Sequence, residues 1–102
     1  MDPLLAQYRL QIADLCRRFR VQRLELFGSA ATDRFEIDHS DLDFLVDFAP
    51  LADGEHADAY FGLLAALETL VGRPVDLVMT RAIRNRYFLE AIEQTRTLLY
   101  AA

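Results

Sequence analysis

The residues best placed to do chemistry are acids set among apolar neighbours. Asp41-Leu42-Asp43 leads directly into Phe44-Leu45-Val46, a run that reads as a strand. Side chains two apart in a strand share a face, so Asp41 and Asp43 stand side by side. Asp is disfavoured in strands, and adjacent like charges repel. The apolar flanks place this strand centrally, so its two charges need compensation. A divalent cation supplies it most simply, and all-oxygen ligands suit a hard ion such as magnesium. The competing reading is an exposed acidic pair beside the acidic loop of Asp33, Glu36 and Asp38.

Asp76 weighs against that alternative. It is the one charge in Pro74-Val75-Asp76-Leu77-Val78-Met79, and a lone acid in a buried strand needs a partner. The partner is either an arginine, Arg73 or Arg81, or a metal shared with Asp41 and Asp43 if the two strands adjoin. Three carboxylates on adjoining strands can hold two ions about 3.5–4 Å apart, the spacing used in phosphoryl displacement. Gly28-Ser29 adds a third element. A glycine where a strand meets a helix lets a phosphate approach the backbone, where free N–H groups and the positive dipole end await it. By itself Gly-Ser reads as an ordinary Ser-capped turn.

These residues need elements to position them. Leu4, Leu5, Tyr8, Ile12, Leu15, Cys16 and Phe19 form a helical stripe over residues 4–19, with Cys16 as a small core residue. Residues 21–27 alternate apolar and polar as a strand, and Ser29 caps a short helix to about residue 34. A polar turn follows at residues 35–40, then the Asp41–Phe48 strand with Leu42, Phe44, Val46 and Phe48 on one face. Residues 56–71 form a helix stopped by Gly72. Pro74–Met79 is a third strand. A last helix is expected from about Thr80 to Leu99, with Ile83, Tyr87, Phe88, Ala91, Ile92, Leu98 and Leu99 inward. Three strands, each followed by a helix, predict an α/β fold, a small mixed sheet flanked by helices.

Phe27-Gly28-Ser29, eleven intervening residues, Asp41-Leu42-Asp43-Phe44 and an acid in a later apolar strand resemble the signature of the polymerase β-type nucleotidyltransferases. The resemblance spans roughly residues 4–100. The short length, the stretch Gly72-Arg73-Pro74-Val75-Asp76-Leu77-Val78 and the ending Leu98-Leu99-Tyr100 are similar to the minimal nucleotidyltransferases (MNT). Many of these are antitoxins paired with a HEPN-domain toxin, an RNA-cleaving helical protein. The resemblance implies one such domain over residues 1–102 with the polymerase β-type fold. It implies Asp41, Asp43 and Asp76 as catalytic, metal-binding residues for Mg2+, with Gly28 and Ser29 on the nucleotide. It further implies transfer of AMP from ATP to a hydroxyl of a HEPN-type partner, a tyrosine where this has been established. The sequence departs from the group at Ala30 and Ala31, where Arg often follows Gly-Ser, and at Asp33, near a common Gly; Arg34, Arg81 and Arg84 are the candidate substitutes. Two rival readings remain: a non-catalytic module that blocks a toxin by occlusion, and a nucleotidyltransferase acting on a small molecule.

Composition bounds the partners. A chain of 102 residues has little surplus for a separate substrate lobe. A net charge of −5 argues against extended nucleic-acid binding, which relies on Lys and Arg to neutralise phosphates. The late arginines Arg81, Arg84, Arg86 and Arg96 are either one anion-binding cluster or a solvated helix face. Apolar runs are broken by charge well short of the roughly 20 residues of a membrane helix. The N-terminus lacks a signal-peptide pattern, and a single cysteine fits a reducing cytoplasm. Oligomerisation with a partner stays open.

Overall fold

The computed structural model describes residues 6–28 and 42–102. Ser29, the short helix expected after it, the 35–40 turn and Asp41 lie outside the described residues. The described elements are helix α1 (Arg9–Arg18), strand β1 (Val21–Phe27), strand β2 (Leu42–Phe48), helix α2 (Glu55–Val71), strand β3 (Val75–Met79), a 3-10 turn (Thr80–Ala82), helix α3 (Arg86–Glu93) and strand β4 (Thr97–Ala101).

The four strands form one mixed sheet in the order β3-β2-β1-β4. β1 runs antiparallel to both β2 and β4, while β3 runs parallel to β2, with α2 as the crossover. The expected small mixed sheet with flanking helices is therefore present, and β2 lies inside it. One face of the sheet carries the main core. Leu42, Phe44, Val46 and Phe48 of β2, with Leu24 and Leu26 of β1, pack against Ile12 and Cys16 of α1 and Leu63, Leu67 and Val71 of α2. Each such buried side chain contributes about 1.5–3 kcal/mol. Cys16 is fully buried, and burial pushes its thiol up to about 12, so it behaves as an inert core group.

The other face is only partly covered. Phe27, Leu45 and Ile92 form a second, smaller cluster there, with Val78 and Ile83 against it. Ile92 belongs to α3, and the ring of Phe88 meets Phe27 edge-on at a centroid distance of 6.1 Å.

The chain after Met79 departs from the sequence expectation. In place of one long helix there are a 3-10 turn, eight residues of α3 and β4. Asn85 starts α3 by accepting the N–H groups of Tyr87 and Phe88 at 2.9 and 3.2 Å, a cap that helical spacing alone does not register. Thr97-Leu98-Leu99-Tyr100 is taken by the free edge of β1, where tertiary pairing outweighs helical periodicity. Ile92 and Leu99 are buried as expected, but Tyr87 is 82% exposed, and Phe88 and Leu98 are also exposed. Phe61 of α2 is likewise exposed.

β1 supplies a further departure. Its alternation places Glu25 on the polar side, yet Glu25 is buried. Arg96 grips it with two hydrogen bonds of 2.6 Å, and Arg23 donates a third at 2.9 Å. Arg96 also pairs with Glu93. The hydrogen bonds from Arg96 hold the Glu25 carboxyl below its ordinary value; burial opposes this and Arg23 reinforces it. This pair fastens the α3–β4 junction onto β1.

Because the folded pKa of Glu25 is depressed, its stabilisation is complete above the ordinary value of 4.5 and is lost as pH falls through the folded value. Glu25→Gln should lose about 1–3 kcal/mol at pH 7 by leaving charged donors underserved. Denaturant melts over pH 2–7 check this. The acid-side decline should be shallower in the variant than in the wild type.

Candidate functional site

The acids lie where β2 and β3 begin. Asp43 and Asp76 are direct partners in the parallel ladder, so their side chains point to the same face. That face is the partly covered one, since Leu42 and Phe44 on either side of Asp43 are buried in the main core. Neighbouring strands lie about 4.8 Å apart. Acids on directly paired positions are near enough for their charges to be felt by one another. Asp43 is half-buried. Asp76 is exposed: β3 is an edge strand whose other face, through Val75, Leu77 and Met79, meets the main core. The sequence reading of Asp76 as a lone acid in a buried strand is thus corrected. The strand is apolar, yet it stands at the sheet margin with its acid in solvent.

Gly28 closes the third side. Phe27, the last residue of β1, pairs with Asp43 across the antiparallel ladder. Gly28 then turns with φ +74°, a conformation L side chains rarely adopt. A Cβ on Gly28 would sit 2.6 Å from Oδ2 of Asp43. The absent side chain lets the backbone lie directly on the carboxylate. The Gly28 N–H is already engaged, since it donates to Oγ1 of Thr95 at 3.0 Å. Gly28 therefore offers close approach to Asp43 while its own N–H is already taken.

Of the five residues singled out from the sequence, Gly28, Asp43 and Asp76 come together. Ser29 and Asp41 lie outside the described residues. Among the described residues no three His, Cys, Asp or Glu side chains form a metal-binding group. The donor types nonetheless suit magnesium: hard carboxylate oxygens at the beginnings of adjoining strands. The late arginines do not form one cluster. Arg81 pairs with Asp47 at 3.3 Å, Arg86 with Glu90 at 3.4 Å and Arg96 with buried Glu25. Asp47 shares the acid face but is tied up at the far end of the strand. Sequence reasoning missed Thr95, whose signal was only a hydroxyl residue at a helix end, and the Glu25–Arg96 pair.

Residues 9–99 match the nucleotidyltransferase domain family. The chain belongs to that family. It is 35% identical over 80 residues to a candidate protein adenylyltransferase of Methanocaldococcus jannaschii, a span covering 78% of each chain. Its fold superposes on a candidate minimal nucleotidyltransferase with a TM-score of 0.76, 32% identity and 95% of each chain covered. It also superposes on a chain from the structure of a tri-AMPylated Shewanella oneidensis HEPN toxin in complex with MNT antitoxin, with a TM-score of 0.64 and 22% identity, covering 95% of this chain and 72% of that one. The protein is accordingly a nucleotidyltransferase with the fold of that group. Among the described residues no helix is long and apolar enough to cross a membrane.

Two alanine variants separate backbone strain from the carboxylate contact. Gly54 also has a positive φ, but nothing lies within 4 Å of a Cβ built there. Gly54→Ala should cost about 1–2 kcal/mol, from the left-handed conformation alone. Gly28→Ala should cost more, because Asp43 must also move. Denaturant midpoints compare the two, and equal losses would mean that Asp43 yields freely.

Proposed function

We propose that this chain is a minimal nucleotidyltransferase of residues 1–102 that moves AMP from ATP to a hydroxyl of a partner protein, and that the partner is a HEPN-type toxin neutralised in the cytoplasm. The supporting observation is the in-register pair Asp43 and Asp76 on the partly covered sheet face, with the Gly28 backbone against Asp43. The match to the nucleotidyltransferase family adds the reaction class. The toxin complex with a related fold adds the kind of acceptor.

Asp41, Asp43 and Asp76 would hold magnesium, which when bound neutralises the triphosphate and makes the acceptor hydroxyl more acidic. Gly28 admits the nucleotide phosphates close to the backbone, and Ser29 adds a hydroxyl donor beside it. The acceptor oxygen attacks the α-phosphorus and forms the new O–P bond. The bond from that phosphorus to the α–β bridging oxygen breaks, and pyrophosphate leaves with those electrons. The hydroxyl proton passes to solvent at the open edge, where Asp76 is exposed.

Stoichiometry tests this against occlusion. A catalyst at one-tenth the concentration of a purified HEPN partner, with ATP and magnesium, should add AMP masses to most of the partner. Asp43→Asn should bind the partner while losing at least about a hundredfold in rate, as expected on removing a metal-holding carboxylate. Intact mass spectrometry reads both. Full inhibition at equimolar ratio with an unchanged partner mass would establish occlusion instead.

A second measurement concerns the acids alone. Asp76→Asn, an exposed change, should leave stability within about 0.5 kcal/mol. It should nonetheless reduce the melting-temperature rise produced by ATP with magnesium, which follows from ligand binding to the folded state. An undiminished rise would remove Asp76 from the site.

A further inference from the structure

The segment joining α3 to β4 is held from two directions. Ile92 is buried against Phe27 and Leu45, and its carbonyl accepts the N–H groups of Thr95 and Arg96, each at 2.9 Å. Arg96 is locked to buried Glu25 of β1 by two 2.6 Å hydrogen bonds. Thr97 then pairs with Leu26 in the sheet. Thr95, half-buried between these anchors, has little freedom to move.

The polarity of its hydroxyl is also set. Oγ1 donates to the Ile92 carbonyl at 3.4 Å, which leaves its lone pairs to accept the Gly28 N–H at 3.0 Å. Gly28 is the residue whose backbone lies on the Asp43 carboxylate. An amide proton at such a turn needs an acceptor, and losing it costs more than the hydrogen bond itself returns. We infer that Thr95 is a positioning residue of the nucleotide site: its hydroxyl holds the Gly28 peptide so that the turn after β1 stays at a fixed distance from Asp43. Thr95 touches no reacting atom. It acts through Gly28, from a segment 67 residues away in sequence. The consequence for catalysis rests on the nucleotidyl-transfer reading above.

The test compares Thr95→Val, which keeps the branched shape and removes the acceptor, with Thr95→Ser, which keeps the acceptor. Two readouts are taken: hydrogen exchange of the Gly28 amide by NMR, and steady-state transfer with ATP and magnesium varied. Gly28 exchange should accelerate about tenfold in Thr95→Val and stay near wild type in Thr95→Ser, as expected for one hydrogen bond. The KM for ATP should rise about three- to tenfold in Thr95→Val, with kcat changed less than about twofold and Thr95→Ser restoring the wild-type value. If Thr95→Val fails to fold, Thr95→Ala takes its place in both comparisons. Unchanged Gly28 exchange would overturn the inference. So would faster exchange with an unchanged KM, since Thr95 would then only fasten the fold, and so would a serine variant as impaired as the valine one. Wild-type protein that transfers no nucleotide would sink the functional reading, and Gly28 exchange alone would then decide whether Thr95 holds the turn.

Discussion

Leu42, Phe44, Val46 and Phe48 are pressed between the sheet and two helices, and their burial dictates where Asp43 can point. The side-chain period of a strand is two, so a slip of one residue would drive Asp43 and Asp47 into the core and lift four large apolar groups into solvent. The register of β2 is thereby fixed by hydrophobic burial worth several kcal/mol, far more than the repulsion between neighbouring carboxylates. The chain can hold two like charges abreast because the core on the opposite face leaves no cheaper arrangement. β3 is tied into the same register by Leu77 of that core and by the Tyr60 hydroxyl, which donates to the Leu77 carbonyl at 2.5 Å.

Around this strand the remaining parts act as braces. Gly28 ends β1 against Asp43, Thr95 accepts the Gly28 amide, and Arg96 with Glu25 fixes the segment that carries Thr95. A buried ion pair is a costly brace, since both ions lose water. Here that cost is moderated, because Glu25 receives three hydrogen bonds and Arg96 keeps part of its surface in solvent. The pair gives direction where an apolar contact would give only proximity, and direction is what the peptide beside a carboxylate requires.

Much of this was legible in the residues. The two-residue spacing and apolar flanks of Asp43 carried the strand, its face and its central place. Val75 to Met79 carried β3; whether it adjoined β2 was left open, and the parallel ladder sets its acid, Asp76, opposite Asp43. Its exposure was not legible, because an apolar run looks the same in a central strand and at a sheet margin. The end of the chain was misread for a related reason. Thr97 to Tyr100 fits a helical stripe as well as a strand, and only the unpaired edge of β1 decides between them. Glu25 was hidden by its own alternation: a polar residue at a polar position gives no sign that an arginine 71 residues on will cover it.

The order of strands across the sheet also bears on how the molecule comes into being. β1 is made early, but its two neighbours are residues 42–48 and 97–101, and α2 and β3 lie between them in the chain. The groups around Asp43 thus draw on four segments that meet only when the longest loops have closed, and such distant closures are the slow ones. A nascent chain emerging from a ribosome has its acids long before it has the brace that sets Gly28 against them. The Gly28–Thr95 contact therefore forms only once the α3–β4 segment has docked on β1.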